Sequence, residues 1–236
     1  MIKIYGKNCV YAAIMAGSRL SMVYLSEDAL KSDKRIIDIL NDKGYKYSIL
    51  PKKKLDSEFP FQNQGFGAYR EDYEILDESF LDKLPKESGR VVILDGIQDP
   101  HNLGAILRSV DAFGYDLVIL PKNRSVSVNE TVAHVSTGAI EYTNIMYVNS
   151  LNNIVDKLKK IGYWICGTDA KGTILSSEID KSLNLAIIIG SEGFGMSKTL
   201  VNASDYLIKI PMKGHVNSLN ASVSSGIILH DLMVNE

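Results

Sequence analysis

The stretch VVILDGIQDPHNLGAILRSVDAFGYDLVIL, residues 91–120, decides the fold. It opens on an unbroken apolar run, Val91 to Leu94, closed by Asp95 and Gly96. A second such run, DLVIL, fills 116–120. Between them Leu103, Ile106, Leu107, Val110 and Phe113 recur at helical spacing and predict a helix over 101–113. Asp99 before Pro100 is N-cap chemistry followed by a first-turn proline. Near-continuous apolar strands belong to parallel sheets covered on both faces. Outward from this core the pattern repeats. Runs at 144–148 (NIMYV), 163–167 (YWICG) and 185–189 (LAIII) alternate with helix candidates at 128–136 and 151–161, and a last helix covers 219–233. This alternation predicts a doubly wound α/β domain over 91–236, with ligands beyond the carboxyl ends of its strands, at the loops after 95, 167 and 189.

Residues 1–70 read as a smaller α/β unit. A helix is expected over 10–16, a strand over 22–25, a helix over 29–40 stopped at Gly44, and a strand over 45–50. Pro60, Gly65, Gly67, Pro85 and Gly89, among many charges, put a domain boundary in 57–90, with a linker at 71–90. The formal net charge of −2 hides an asymmetry. Residues 1–70 hold 12 Lys and Arg against 7 Asp and Glu, and the remainder 14 against 21. A basic leading unit suits a polyanionic partner.

Apolar content of 45% and charged content of 23% fit a globular protein with an ample core. Cys9 and Cys166 lie far apart and form no metal-ligand pattern, which points to a reducing, cytoplasmic setting without disulfides. Lys3 and Lys7 before the apolar run Cys9 to Ala16 loosely suggest a secretory leader, but the run is short and reads as a partly buried helix. No segment nears the ~20 apolar residues a membrane span needs.

Three segments carry chemistry. In the first, Arg108 falls off the apolar stripe and Asn102 sits in the first helical turn, while Asp99 serves as a cap. The second, IIIGSEGFGMS over 187–197, sets Gly190, Gly193 and Gly195 just after a buried strand, where backbone can approach a ligand closely. It matches neither the dinucleotide fingerprint nor a Walker loop, and a plain turn leaves Glu192 unexplained. The third, IPMKGHVNSLNASVSSG over 210–226, offers Ser218 or Asn220 as the cap of the last helix, which is built first of small residues and then of apolar ones.

Read together and in order, these segments closely resemble the three signature motifs of the SpoU/TrmH family, the ribose 2′-O-methyltransferases of the SPOUT superfamily. Ile4-Tyr-Gly-Lys-Asn-Cys-Val10 resembles the opening of the RlmB-type branch, which methylates a guanosine of bacterial large-subunit (23S) ribosomal RNA. Asn63-Gln-Gly-Phe-Gly-Ala68 resembles that branch's His-Gln-Gly segment, with Asn63 in place of histidine. The resemblance implies a trefoil-knotted catalytic domain, which no physical reading of one sequence reveals. It is preceded by an RNA-binding domain of the ribosomal protein L30e type. It also implies an obligate homodimer with shared active sites, and S-adenosylmethionine bound by the loop at Gly190 and Gly193 and around Ile210 and Leu219, with Thr168 a weaker candidate. No metal is implied.

By the same resemblance Arg108 is the catalytic residue, reached across the dimer. Arginine is a poor base, so it either clamps a phosphate beside the ribose or takes the hydroxyl proton directly. Asn102 and Asn220 position groups through their amides, Glu192 orients Arg108 or the ribose, and Ser218 donates a hydrogen bond. Phe194 stands where smaller or polar residues are common, and Ser224-Ser225 where alanines are common. Competing expectations are a transfer-RNA guanosine methyltransferase, a resistance-type 23S adenosine methyltransferase, and a catalytically silent RNA-binding protein.

Overall fold

A computed structural model of the chain describes residues 1–216 and 218–234, and of Phe61 only the backbone. Asn217, part of the third motif, lies outside the described residues. In chain order the first elements are β1 (Ile2–Tyr5), α1 (Lys7–Met15), β2 (Leu20–Ser26), α2 (Glu27–Ser32), α3 (Arg35–Asp42), β3 (Tyr47–Leu50), α4 (Lys52–Glu58) and β4 (Phe66–Arg70). There follow β5 (Arg90–Asp95), α5 (Pro100–Ala112), β6 (Leu117–Pro121), α6 (Glu130–Val135), β7 (Ile145–Val148) and α7 (Leu151–Lys160). The last are β8 (Tyr163–Thr168), β9 (Ile174–Leu175), β10 (Asn184–Gly190), α8 (Lys198–Ala203), β11 (Tyr206–Lys209) and α9 (Ala221–Leu232).

Two compact units result, one of Met1–Tyr73 with Val128–Tyr142, the other of Glu74–Ser127 with Thr143–Glu236. The first holds a mixed four-stranded sheet, β1-β4-β2-β3, in which β4 runs antiparallel to both its neighbours and β2 pairs with β3 in parallel. Its central strand β4 falls within 57–90, where the sequence predicts only a boundary. The short run FGAYR carries too little periodicity to show as a strand, yet Phe66 and Ala68 are buried. Asn63 explains the preceding loop. It is fully buried, accepts from Lys52 Nζ (2.9 Å) and the Gly65 N–H (2.8 Å), and donates to Asp56 and the Pro60 carbonyl. The helix expected over 29–40 is two helices. Asp33 leaves helical geometry and binds Lys7 Nζ at 2.8 Å and Tyr11 Oη at 2.6 Å, which hold its carboxyl below the usual range.

The second unit is a seven-stranded sheet, β7-β6-β5-β10-β8-β11-β9, parallel throughout. Every strand expected from the apolar runs is present, and the domain is α/β as predicted. Val91, Ile93, Ile119, Ile165 and Ile188 face α7 and α8 in one core, and the alternate residues Val92, Leu94, Ile187 and Ile189 face the side of α5 and α9. The short β9 and β11 were not legible as apolar runs. Two boundaries differ from the expected 71–90 linker and continuous 91–236 domain. Leu81 and Leu84 are buried in the second unit's core, so 74–90 packs there. The segment 128–142, α6 included, belongs to the first unit. Its amphipathic pattern was legible, but not the surface it packs on.

Candidate active site

At the carboxyl ends of β8, β10 and β11 the second unit opens a cleft of about 540 Å³, a size usual for small-molecule sites. Ile189, Ile208, Ile210, Leu219 and Ile228 give it apolar walls. Thr168, Gly190, Gly193, Ile210 and Leu219, the five residues expected to hold a cofactor, all line it, as do Glu192 and Ser218.

The glycine loop is shaped by backbone demands. Gly193 and Gly195 have φ of +82° and +67°, a region most side chains avoid. A Cβ on Gly190 would lie 2.3 Å from the Gly195 carbonyl carbon, so no side chain fits there. Ser191 and Gly195 exchange backbone hydrogen bonds that close the turn, at 3.2 and 2.9 Å. Asp95, at the end of β5 beside Gly190, accepts from the Ser197 N–H at 2.8 Å and ties the loop's far end to the sheet. Asp95 and the cleft residues Asp169 and Lys171 escaped the sequence reading. For Asp95 a signal existed: a carboxylate ending a buried parallel strand sits where such folds bind ligands.

Beside the cleft the three motifs meet. Glu192 Oε1 accepts from Asn102 Nδ2 (3.1 Å), from the Ala221 N–H (3.0 Å) and from Asn220 Nδ2, and Asn220 Nδ2 also reaches Asn102 Oδ1 at 2.9 Å. Asn220 at the same time caps α9, accepting from the Ser222 and Val223 N–H groups at 2.9 and 3.3 Å. The Glu192 carboxylate thus lies at the positive end of a twelve-residue helix. Asp99 caps α5 through the His101 N–H at 3.0 Å. Arg108 stands apart. It lies on α5 six residues beyond Asn102, exposed, outside the cleft lining, and with no hydrogen bond or ion pair among the described residues. Cys166, two residues before Thr168 on β8, is no nucleophile, because burial pushes its thiol up to about 12.

Among the described residues no group of three or more His, Cys, Asp and Glu is arranged to hold a metal ion, and no helix is long and apolar enough to cross a membrane. Comparison with known proteins gives the family. The model of the SpoU rRNA Methylase family matches residues 89–230, and that of the RNA 2′-O ribose methyltransferase substrate-binding domain matches residues 3–84. A protein of Staphylococcus saprophyticus named as a TrmH family tRNA/rRNA methyltransferase is 42% identical over 98% of this chain and 94% of its own length. Its counterpart in Staphylococcus haemolyticus is 43% identical with the same coverage. Among solved structures, the SpoU methyltransferase AviRb of Streptomyces viridochromogenes, in complex with AdoMet, superposes with a TM-score of 0.81 at 23% identity, over 98% of this chain and 88% of its own. The TrmH/SpoU tRNA modifying enzyme of A. aeolicus gives 0.56 at 28% identity, over 66% of this chain and 81% of its own. With its motifs joined at one cleft and a substrate-binding domain ahead of them, the chain belongs to the SpoU rRNA methylase family and is an RNA methyltransferase.

Proposed function

We propose that the protein transfers a methyl group from S-adenosylmethionine to the ribose 2′-hydroxyl of a guanosine in 23S ribosomal RNA, acting as a cytoplasmic homodimer. The observation that carries this reading is the Asn102–Glu192–Asn220 cluster, which joins all three motifs at the rim of the cleft. The cleft fits the cofactor. Its apolar walls suit an adenine ring, the open backbone at Gly193 and Gly195 suits polar edges, and Asp169 offers an acceptor for hydroxyl or ammonium donors. Thr168, Gly190, Gly193, Ile210 and Leu219 would hold it. When bound, S-adenosylmethionine supplies a methyl on a positively charged sulfur, already primed for displacement.

The chain's own task is to prepare the hydroxyl. Glu192 Oε1 is engaged by three N–H groups, so the carboxylate is fixed before substrate arrives, and its part in this reading is to orient the ribose. Ser218, exposed on the lining, donates a hydrogen bond to the substrate. Arg108 acts from the second subunit. Arginine is a poor base, so its part in this reading is to clamp the neighbouring phosphate with paired N–H donors and so favour loss of the hydroxyl proton.

The dimer is supported by Val223 and Ile227 on α9, 50% and 38% exposed beside the cleft, and by Arg108 on α5, which has no partner among the described residues and whose helix packs against α9. Family membership, and a strand order in which β10 and β11 flank β8, support threading of the carboxy-terminal segment as a trefoil knot. The basic leading unit favours ribosomal over transfer RNA. In the same direction, the solved A. aeolicus tRNA-modifying relative aligns with only 66% of this chain. The test is to map 2′-O-methylation of 23S RNA with and without the gene, then assay Arg108→Ala. Loss of one guanosine mark, with Arg108→Ala inactive yet binding S-adenosylmethionine normally, is expected. A mark lost from transfer RNA instead, or near-normal turnover by Arg108→Ala, overturns the reading.

A further inference from the structure

Phe194 is 95% exposed, the most exposed large apolar side chain among the described residues. It forms the tip of the glycine loop and lines the mouth of the cleft. The loop does not let it fold away. Gly193 and Gly195 on either side hold positive φ, the paired Ser191–Gly195 hydrogen bonds close the turn, and Asp95 anchors its far end. Around both glycines an added Cβ would meet nothing within 4 Å, so the tip stands in open space. A bare aromatic ring is thus presented on a braced turn two residues from Glu192, whose carboxylate is turned inward to Asn102 and Asn220.

Resting on the ribose methyltransferase reading above, we propose that Phe194 is a stacking platform for a nucleobase of the RNA substrate, that of the methylated nucleotide. The chemistry places a base there. A ribose whose 2′-hydroxyl reaches the cleft carries its base one glycosidic bond away, at the rim where the ring stands. A base taken out of its helical stack exposes two apolar faces, and an aromatic side chain replaces one lost neighbour. The contact is with a π-face, so Phe194 sets how firmly the nucleotide is held and leaves the choice of base to hydrogen-bonding groups.

The test compares Phe194→Ala and Phe194→Trp with the unchanged protein, using unmodified 23S RNA transcribed in vitro. Stacking on one aromatic ring is worth ~5- to 150-fold in binding. Phe194→Ala is therefore expected to raise the KM for RNA by about tenfold, with kcat within about twofold and S-adenosylmethionine affinity unchanged, and Phe194→Trp to restore it. On an RNA made abasic at the mapped nucleotide, the unchanged protein and Phe194→Ala should become equal. An unchanged KM for Phe194→Ala overturns the proposal. So does a loss confined to S-adenosylmethionine affinity, which would make the ring part of the cofactor site. Dissociation of the dimer in sedimentation would make it a subunit contact and overturn it too. Failure of the unchanged protein to methylate any RNA or to bind S-adenosylmethionine would instead sink the reading beneath it.

Discussion

Glu192 does three things with one oxygen. It accepts from the Asn102 and Asn220 amides and from the first N–H of α9. Two of these donors, the asparagine amides, are exposed and the third, the Ala221 N–H, is part-buried, so water can replace the carboxylate at modest loss of stability. Geometry is another matter, since misplacement of a reacting group by ~1 Å can lower a rate ~100-fold. Glu192→Ala should therefore lower kcat by ~10- to 100-fold while unfolding free energy moves by under ~1 kcal/mol. Glu192→Gln keeps an acceptor and should fall between. Single-turnover methyl transfer measured beside thermal denaturation separates the two effects. An unchanged rate for Glu192→Ala would reduce the residue to a part of the loop's structure. Glu192 was legible in the sequence because a plain turn had no use for a carboxylate between two glycines. That it binds both asparagines was not, because the three lie 28 to 118 residues apart in pairs.

An element-scale feature concerns how α9 is held, since its first turn carries the site. Arg90 opens β5 and is 1% exposed, yet among the described residues no carboxylate pairs with its side chain. Its guanidinium donates to backbone carbonyls instead: Leu232 in the last turn of α9 at 2.7 Å, Gly89 at 3.0 Å, Leu183 at 2.7 Å and Lys181 at 2.5 Å. Four carbonyls, one at the negative end of a helix, compensate the charge, although burial draws the guanidinium's pKa down. Arg90→Leu would strand those acceptors and release the end of α9. It should destabilise the second unit by ~2–5 kcal/mol, with Arg90→Lys recovering part through its three donors. Calorimetry reads this directly, and a melting temperature for Arg90→Leu within about a degree of the unchanged protein would refute it. The sequence showed the strand but not this role. An arginine opening an apolar run looks like a strand end reaching solvent, and only the tertiary fold turns it inward. Long apolar strands and periodic helices were likewise legible, whereas β9 with two residues and β11 with four were too short to carry a period.

For the whole molecule, the unexpected fact is that the chain passes between its two units three times, because 128–142 belongs to the first. Local pattern predicts the helix in that segment correctly, but its partners lie some 70 to 130 residues back. His134 stacks on Tyr5 with ring centroids 4.2 Å apart, and Gly138 comes so close to α1 that a Cβ would lie 2.4 Å from that of Ala12. The centre is Glu141, whose side chain is 1% exposed. It accepts from Arg70 Nε and Nη2 at 3.0 and 2.9 Å, from Tyr73 Oη at 3.0 Å and from Ser18 Oγ at 2.6 Å. Arg70 itself lies over the Tyr73 ring, 3.5 Å from its centroid. Removing one member of such a pair leaves the other charge desolvated and unanswered, which typically costs ~3–5 kcal/mol. Glu141→Ala should therefore loosen the first unit alone. Hydrogen exchange should rise in β1, β4 and α1, while the amides of β5 and β10, in the middle of the other sheet, keep their protection. If β5 and β10 lose protection in step, the two units unfold as one body and the division into separately stable parts is wrong. If nothing changes, water has replaced the carboxylate and the pair is not buried in solution. With the expected result, RNA binding can be weakened through the first unit while S-adenosylmethionine affinity at the intact cleft stays as it was, which separates the two halves of the proposed activity in one chain.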